Sequence, residues 1–106
     1  MAITEFFAGI PVADYEMAHA WYERVMGKTA SFYPQDGEAV WQVMEHGWIY
    51  VVQDAERAGK ALITILVDDL EAVAAGLIQR GLEPVRTDIR AILTDPEGNR
   101  VTFAQP

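Results

Sequence analysis

Cysteine is absent from this chain, so disulfides, thiolate metal sites and cysteine nucleophiles are excluded. Serine is almost as scarce. Ser31 stands alone with no GxSxG around it, which argues against a serine-nucleophile hydrolase. The two histidines, His19 and His46, are not spaced as HxH or HExxH, so there is no local zinc motif. No GxGxxG or phosphate-binding loop is present. Positive charge is short as well: 8 Lys and Arg stand against 16 Asp and Glu, a formal net charge of −8. The pI is near 4.5. A nucleic acid or an anionic membrane needs a basic patch, so neither is expected as a partner. The acidic balance mildly suits a cationic ligand, although solubility explains it equally well. Long apolar runs are also missing. Pro11 and Asp14 interrupt the first one, and Met1–Glu5 carries no basic residue. Neither a signal peptide nor a membrane span is expected, and a cytoplasmic location is.

What is present is ordinary globular material. The 106 residues are 51% hydrophobic and 23% charged, enough for one domain with a sizeable core. The clearest landmark is Asp95-Pro96-Glu97-Gly98-Asn99, a turn between the strand-like stretches Ile89–Thr94 and Arg100–Gln105. Turn chemistry accounts for every residue in it. Upstream, residues 3–12 read as a strand. Phe6, Ala8, Ile10 and Val12 lie on one face, and Glu5, Phe7, Gly9 and Pro11 on the other. Asp14 caps a helix that runs to Met26, with Tyr15, Ala18, Trp21, Tyr22 and Val25 along its apolar side and Gly27 as its stop. Three strands follow, over Thr29–Tyr33, Glu38–Glu45 and Trp48–Gln53.

The second half repeats this order. Ala61–Val67 is a strand, Asp68 or Asp69 caps a helix ending at Arg80-Gly81, and strands follow at Glu83–Thr87, Ile89–Thr94 and Arg100–Gln105. The corner Ile10-Pro11-Val12-Ala13-Asp14-Tyr15-Glu16 aligns in kind with Ile65-Leu66-Val67-Asp68-Asp69-Leu70-Glu71. A half-chain period of this sort is a duplication signal. The expected architecture is α+β: two βαβββ modules, residues 1–56 and 57–106, packed as one domain because neither could bury its sheet alone. Most glycines fall at turns or helix ends. Gly9 and Gly76 do not, and close packing is their expected cause.

Taken in this order, the motifs resemble the vicinal oxygen chelate superfamily, whose members include glyoxalase I, extradiol dioxygenases, methylmalonyl-CoA epimerase, fosfomycin-resistance enzymes and bleomycin-binding proteins. The resemblance spans essentially the whole chain. It implies curved mixed sheets enclosing a cleft, often completed in a homodimer, and, in the family's enzymes, a divalent metal held by His, Glu or Gln. Carried over residue by residue, the ligand positions fall on Phe7, Leu62 and Thr102. The fourth falls on Tyr50 or Val51, depending on strand register, with Gln53 nearby. Apolar side chains offer a divalent ion no lone pairs, and one threonine hydroxyl cannot hold it against water. No metal or other cofactor is therefore expected.

The candidate ligand-binding residues are Phe7, Trp41, Trp48, Tyr50, Leu62, Arg90 and Thr102. Aromatic strands suit a planar or apolar ligand. Arg90 is the strong donor available for a ligand carboxylate or carbonyl, and Glu5 its possible balancing acid. Each has a structural alternative: Trp41 and Trp48 as core, Arg90 as an edge-strand charge, Glu5 as a solvated end. Trp21 and Tyr22 are read as core, and His19 and His46 as histidines without a chemical role. The expected function is binding of a small, partly aromatic molecule by a metal-free homodimer of this superfamily. The alternative is a lyase, isomerase or dioxygenase of the same superfamily. It would use either a divalent metal or Arg90, Glu5 or a histidine as acid–base group. A third reading is an interaction module whose sheet face serves dimerisation alone.

Overall fold

A computed structural model describes residues 1–106. The first helix forms where local chemistry dictates. Asp14 accepts the Met17 N–H at 3.1 Å, Glu16 sits in the first turn, and α1 runs over Tyr15–Met26. It stops at Gly27, whose φ of 71° is the left-handed conformation that lets the cap N–H reach the Glu23 carbonyl at 2.9 Å. The second helix, α2 over Leu70–Gln79, is capped by Asp69 rather than Asp68, through the Ala72 N–H at 3.1 Å.

Around α1 the first module lays down β1 (Phe6–Val12), β2 (Glu38–Met44) and β3 (Gly47–Gln53). The sheet order is β1-β3-β2, with β1 parallel to β3 and β2 antiparallel to it. The expected strand at Thr29–Tyr33 is reduced to one bridge, Phe32 with Val40. Pro34 supplies no N–H and restricts Tyr33, and the Ser31 hydroxyl takes the Gln42 N–H at 3.1 Å in place of a ladder partner. The second module carries β4 (Leu62–Leu66), β5 (Val85–Arg86), β6 (Arg90–Thr94) and β7 (Arg100–Ala104) around α2. Its order is β4-β7-β6-β5, with β4 parallel to β7.

The two modules share one core. The inner face of the first sheet gives Ile10, Val12, Ala39, Trp41, Ile49 and Val51; the second gives Ala91, Leu93, Val101 and Phe103. α1 lies between them. Its Ala18, Trp21, Tyr22 and Val25 belong to the same packed cluster as the inner residues of both sheets, with Met26, Ile65 and Val67 against it. The other face of each sheet therefore points away from the shared core, one on each side. No helix is long and apolar enough to cross a membrane.

The Asp95–Asn99 turn joins the halves. Asn99 is fully buried; its Nδ2 donates to the Pro11 carbonyl at 2.8 Å and its Oδ1 accepts the Ala61 N–H at 2.9 Å. Buried Tyr22 donates its hydroxyl to Asp95 at 2.8 Å. Burial first, and the Asp95 charge second, push the Tyr22 phenol well above its ordinary pKa, so it stays a donor. The Glu97 carboxylate accepts the N–H groups of Ala13 and Asp14 at 2.6 and 2.9 Å, where α1 begins. Arg80 crosses from α2 to the carbonyls of Arg24 and Val25 at the end of α1. A Cβ on Gly76 would come within 3.0 Å of that guanidinium, the close packing expected there.

Candidate functional site

The outer face of the first sheet is aromatic. Phe7 on β1 sits opposite Trp48 on β3, and their rings stack with centroids 5.7 Å apart and planes 12° off parallel. Phe32 closes on Trp48 edge-first, at 5.8 Å and 73°. Two residues along, Gly9 pairs with Tyr50, whose ring lies over the glycine. A Cβ on Gly9 would stand 2.5 Å from Tyr50 Cζ, so only glycine leaves the ring its place. The register also settles the ambiguity at Tyr50 and Val51. Tyr50 shares the outer face with Phe7, and Val51 is buried in the core.

The Trp48 ring is held from its edge. Its Nε1–H donates to Glu5 at 2.7 Å, and His46 donates through Nδ1 to the other Glu5 oxygen at 3.1 Å. The Trp48 bond first, and His46 after it, hold the Glu5 carboxyl below the usual carboxylate range. The second nitrogen of His46 faces Glu45 at 3.6 Å. Glu5 thus finds its partners within the first module and does not balance Arg90. Alternation does place Glu5 on the face of Phe7, so this partnership had a signal in the sequence. Phe32, outside any strand, had none.

Trp41 does not belong to this face. It is 0% exposed, lies beneath α1 with His19 against it at 5.9 Å, and donates its indole N–H to the Lys28 carbonyl at 3.0 Å. It opposes Ile49 across the β2–β3 ladder, whereas Trp48 opposes Gln42, and adjacent ladder positions point to opposite faces.

Leu62, Thr102 and Arg90 occupy the outer face of the second sheet. Leu62 on β4 sits beside Arg100, Thr64 beside Thr102, and Arg90 on β6 beside Ala104. Leu62 is 76% exposed and Thr102 only 8%. Phe7, Trp48 and Tyr50 are therefore brought together, while Leu62, Arg90 and Thr102 share one face with Leu62 and Arg90 at diagonally opposite ends of it, and the helix-filled core separates the two groups within one chain. The positions that the resemblance assigns to metal ligands carry phenyl, phenol, isobutyl and hydroxyl groups. No three His, Cys, Asp or Glu side chains gather as a metal site anywhere in the chain.

An apolar groove of about 450 Å³ lies between the first sheet and the edge strand β4, lined by Phe6, Ala8, Met44, Trp48, Ile63 and Leu66 among others.

This arrangement, two helices within two mixed sheets whose outer faces are left open, is that of the vicinal oxygen chelate superfamily. A glyoxalase/bleomycin resistance protein from Catenulispora acidiphila is 35% identical, with a TM-score of 0.93, over 98% of this chain and 99% of its own. The chain belongs to the glyoxalase/bleomycin resistance protein family. More distant structures share the fold. One is a bleomycin-binding protein complexed with bleomycin, at 18% identity and a TM-score of 0.72 over 100% of this chain and 99% of its own. Another is TnmS3, an antibiotic-binding protein from a Streptomyces species, at 24% and 0.76 over 100% and 98%. No family model matches the chain, and no curated protein does.

Proposed function

We propose that this chain is a binding protein of its family. It acts as a homodimer that holds a small, partly aromatic molecule in a cleft, without a divalent metal. The observation that carries this reading is the parallel Phe7–Trp48 stack on an open sheet face, with the indole fixed by Glu5. A ring fixed in advance loses little conformational freedom when a flat ligand lies against it. The bleomycin-binding and antibiotic-binding proteins of similar fold support the class of ligand. Metal independence is supported by the donor set. Phe7, Tyr50, Leu62 and Thr102 offer neither imidazole nor carboxylate to a divalent ion. The second copy would bring the outer face of its β4–β7 sheet against the aromatic face and so supply the missing wall.

The test is a titration of bleomycin and of one- to three-ring aromatic compounds, followed by tryptophan fluorescence and thermal shift. Binding is expected, and the Phe7→Ala and Trp48→Leu variants are expected to lose it by ten-fold or more while staying folded. A panel without a single binder counts against the reading. Dialysis against a chelator is expected to leave affinity and melting temperature unchanged. Near-stoichiometric zinc, nickel, manganese or iron in the purified protein would contradict the metal-free part.

A further inference from the structure

The outer face of the second sheet carries positive charge that the rest of the chain leaves unanswered. Alternation along β4, β5, β6 and β7 places Arg90 and Arg100 on this face and no acid. Three of the other four arginines are occupied; Arg24, on α1 and away from this face, is not. Arg57 pairs with Asp54, Arg86 with Glu71, and Arg80 with main-chain carbonyls. Arg90 and Arg100 engage only through their main chains. The acids nearest in sequence do not help them. Asp95 and Glu97 are turned inward onto Tyr22, Asn99 and the start of α1, and Asp88 in the β5–β6 turn makes no ion pair.

The register sets the spacing. Arg90 lies across from Ala104, Ile92 from Thr102, and Thr94 from Arg100. The two arginines thus bracket the Thr102–Ile92 pair, roughly 13 Å apart along the strand. The Thr102 neighbour on β4 is Thr64, so the floor between the arginines also carries hydroxyl groups.

If this face becomes the wall of a cleft, both guanidiniums lose water, and an unpaired charge out of water is costly. The acids on the opposing aromatic sheet already have partners: Glu5 has Trp48 and His46, and Glu38 has Gln35 at 3.0 Å. A ligand anion is the partner left. A carboxylate matches the guanidinium fork in shape as well as sign. The net charge of −8 opposes an incoming anion only at long range, where salt screens beyond about 8 Å.

Building on the function proposed above, we infer that the ligand is an aromatic anion. Its ring rests on the Phe7–Trp48 stack and its carboxylate lies between Arg90 and Arg100 of the second copy. Three probes with one ring system separate the possibilities: 2-naphthoate, 2-naphthamide and 2-naphthylmethylammonium, titrated at physiological salt. 2-Naphthoate is expected to bind at least ten-fold more tightly than the amide, and the ammonium most weakly. The Arg90→Gln/Arg100→Gln double variant is expected to remain folded and dimeric and to bind naphthoate and amide alike. Phe7→Ala is expected to weaken both by the same factor. Equal binding of acid and amide by the unaltered protein, or preference for the ammonium, overturns the anion while leaving the aromatic cleft intact. A double variant that falls to monomers assigns the arginines to the dimer contact and overturns it too. If no probe binds, both the anion and the cleft are overturned.

Discussion

Glu5 makes the aromatic face sensitive to acid. Its carboxylate is the acceptor that fixes the Trp48 ring, and that contact, with His46 behind it, depresses its pKa. A carboxyl with a depressed folded-state pKa adds stability above its unfolded value, about 4.3, and loses it as pH falls through the lower folded value. The indole N–H resonance of Trp48 is therefore expected to hold its position down through the ordinary glutamate range and to shift only at more acid pH. Glu5→Gln keeps an acceptor but does not titrate, so the shift is expected to vanish in that variant. A shift that persists there assigns the transition to another group. Gly9 makes the complementary case from sterics. Gly9→Ala puts a methyl where the Tyr50 ring lies. Because the clash is with the far end of a side chain, the ring can swing away and the fold is expected to survive. Ligand affinity is expected to fall about ten-fold, a difference of about 1.4 kcal/mol, while the melting temperature moves little. Unchanged affinity would mean that Tyr50 is not part of the binding surface.

At the scale of elements, the Asp95–Asn99 turn is the joint on which the two modules depend. Asn99→Ala removes three hydrogen bonds of a fully buried side chain, to Pro11, Ala61 and Asp95, and leaves a part-buried carbonyl and N–H without those partners. The expected cost is about 2–4 kcal/mol. Each kcal/mol lowers the melting temperature of a chain this size by roughly 4–8 °C. Scanning calorimetry of the variant checks this, and a fall under a few degrees would show that the joint lies elsewhere. The residues of this turn were legible as a corner, because Pro96 and Gly98 act locally. That the corner clasps the other module was not legible, since Asn99 reaches Pro11 across the whole chain. The same division runs through the rest of the fold. Helix starts at Asp14 and Asp69 and stops at Gly27 and Gly81 depend on neighbours within a turn, and sequence reading places them well. The face of β2 depends on distant packing. Ala39, Trp41 and Val43 alternate with Val40, Gln42 and Met44, both sets are largely apolar, and nothing local decides which is buried. For that reason the sequence leaves Trp41 open between core and cleft wall, and the packing puts it in the core. Phe7 and Leu62 were readable as outward-facing because Asp14 and Asp69 set the phase of the strands before them, whereas Tyr50 against Val51 waited on the β1–β3 register. That their sheets face apart within one chain was not, because it depends on how the two modules pack across the shared core.

The surface of the whole molecule bears on whether one chain is the functional unit. A monomer of 11.8 kDa is expected to expose about 5,900 Å². This chain exposes 6527 Å². The excess, roughly 600 Å², approaches the ~800 Å² that each partner buries in a standard interface. Among the large apolar side chains left exposed are Leu62 and Leu66 on the outer face of the second sheet, at 76% and 68%. Light scattering is expected to give twice 11.8 kDa. Mass alone does not show that the copies share a cleft, but mixing two inactive variants does. Phe7→Ala removes the aromatic wall, and Thr102→Phe fills the floor of the opposite sheet. If each cleft joins the first sheet of one copy to the second sheet of the other, neither variant binds ligand alone. A hybrid dimer then has one cleft in which both defects meet and one in which neither occurs. Unfolding the two together and refolding them is expected to restore part of the binding. A refolded mixture as inactive as its components would mean that each chain builds its cleft by itself or that no shared cleft exists.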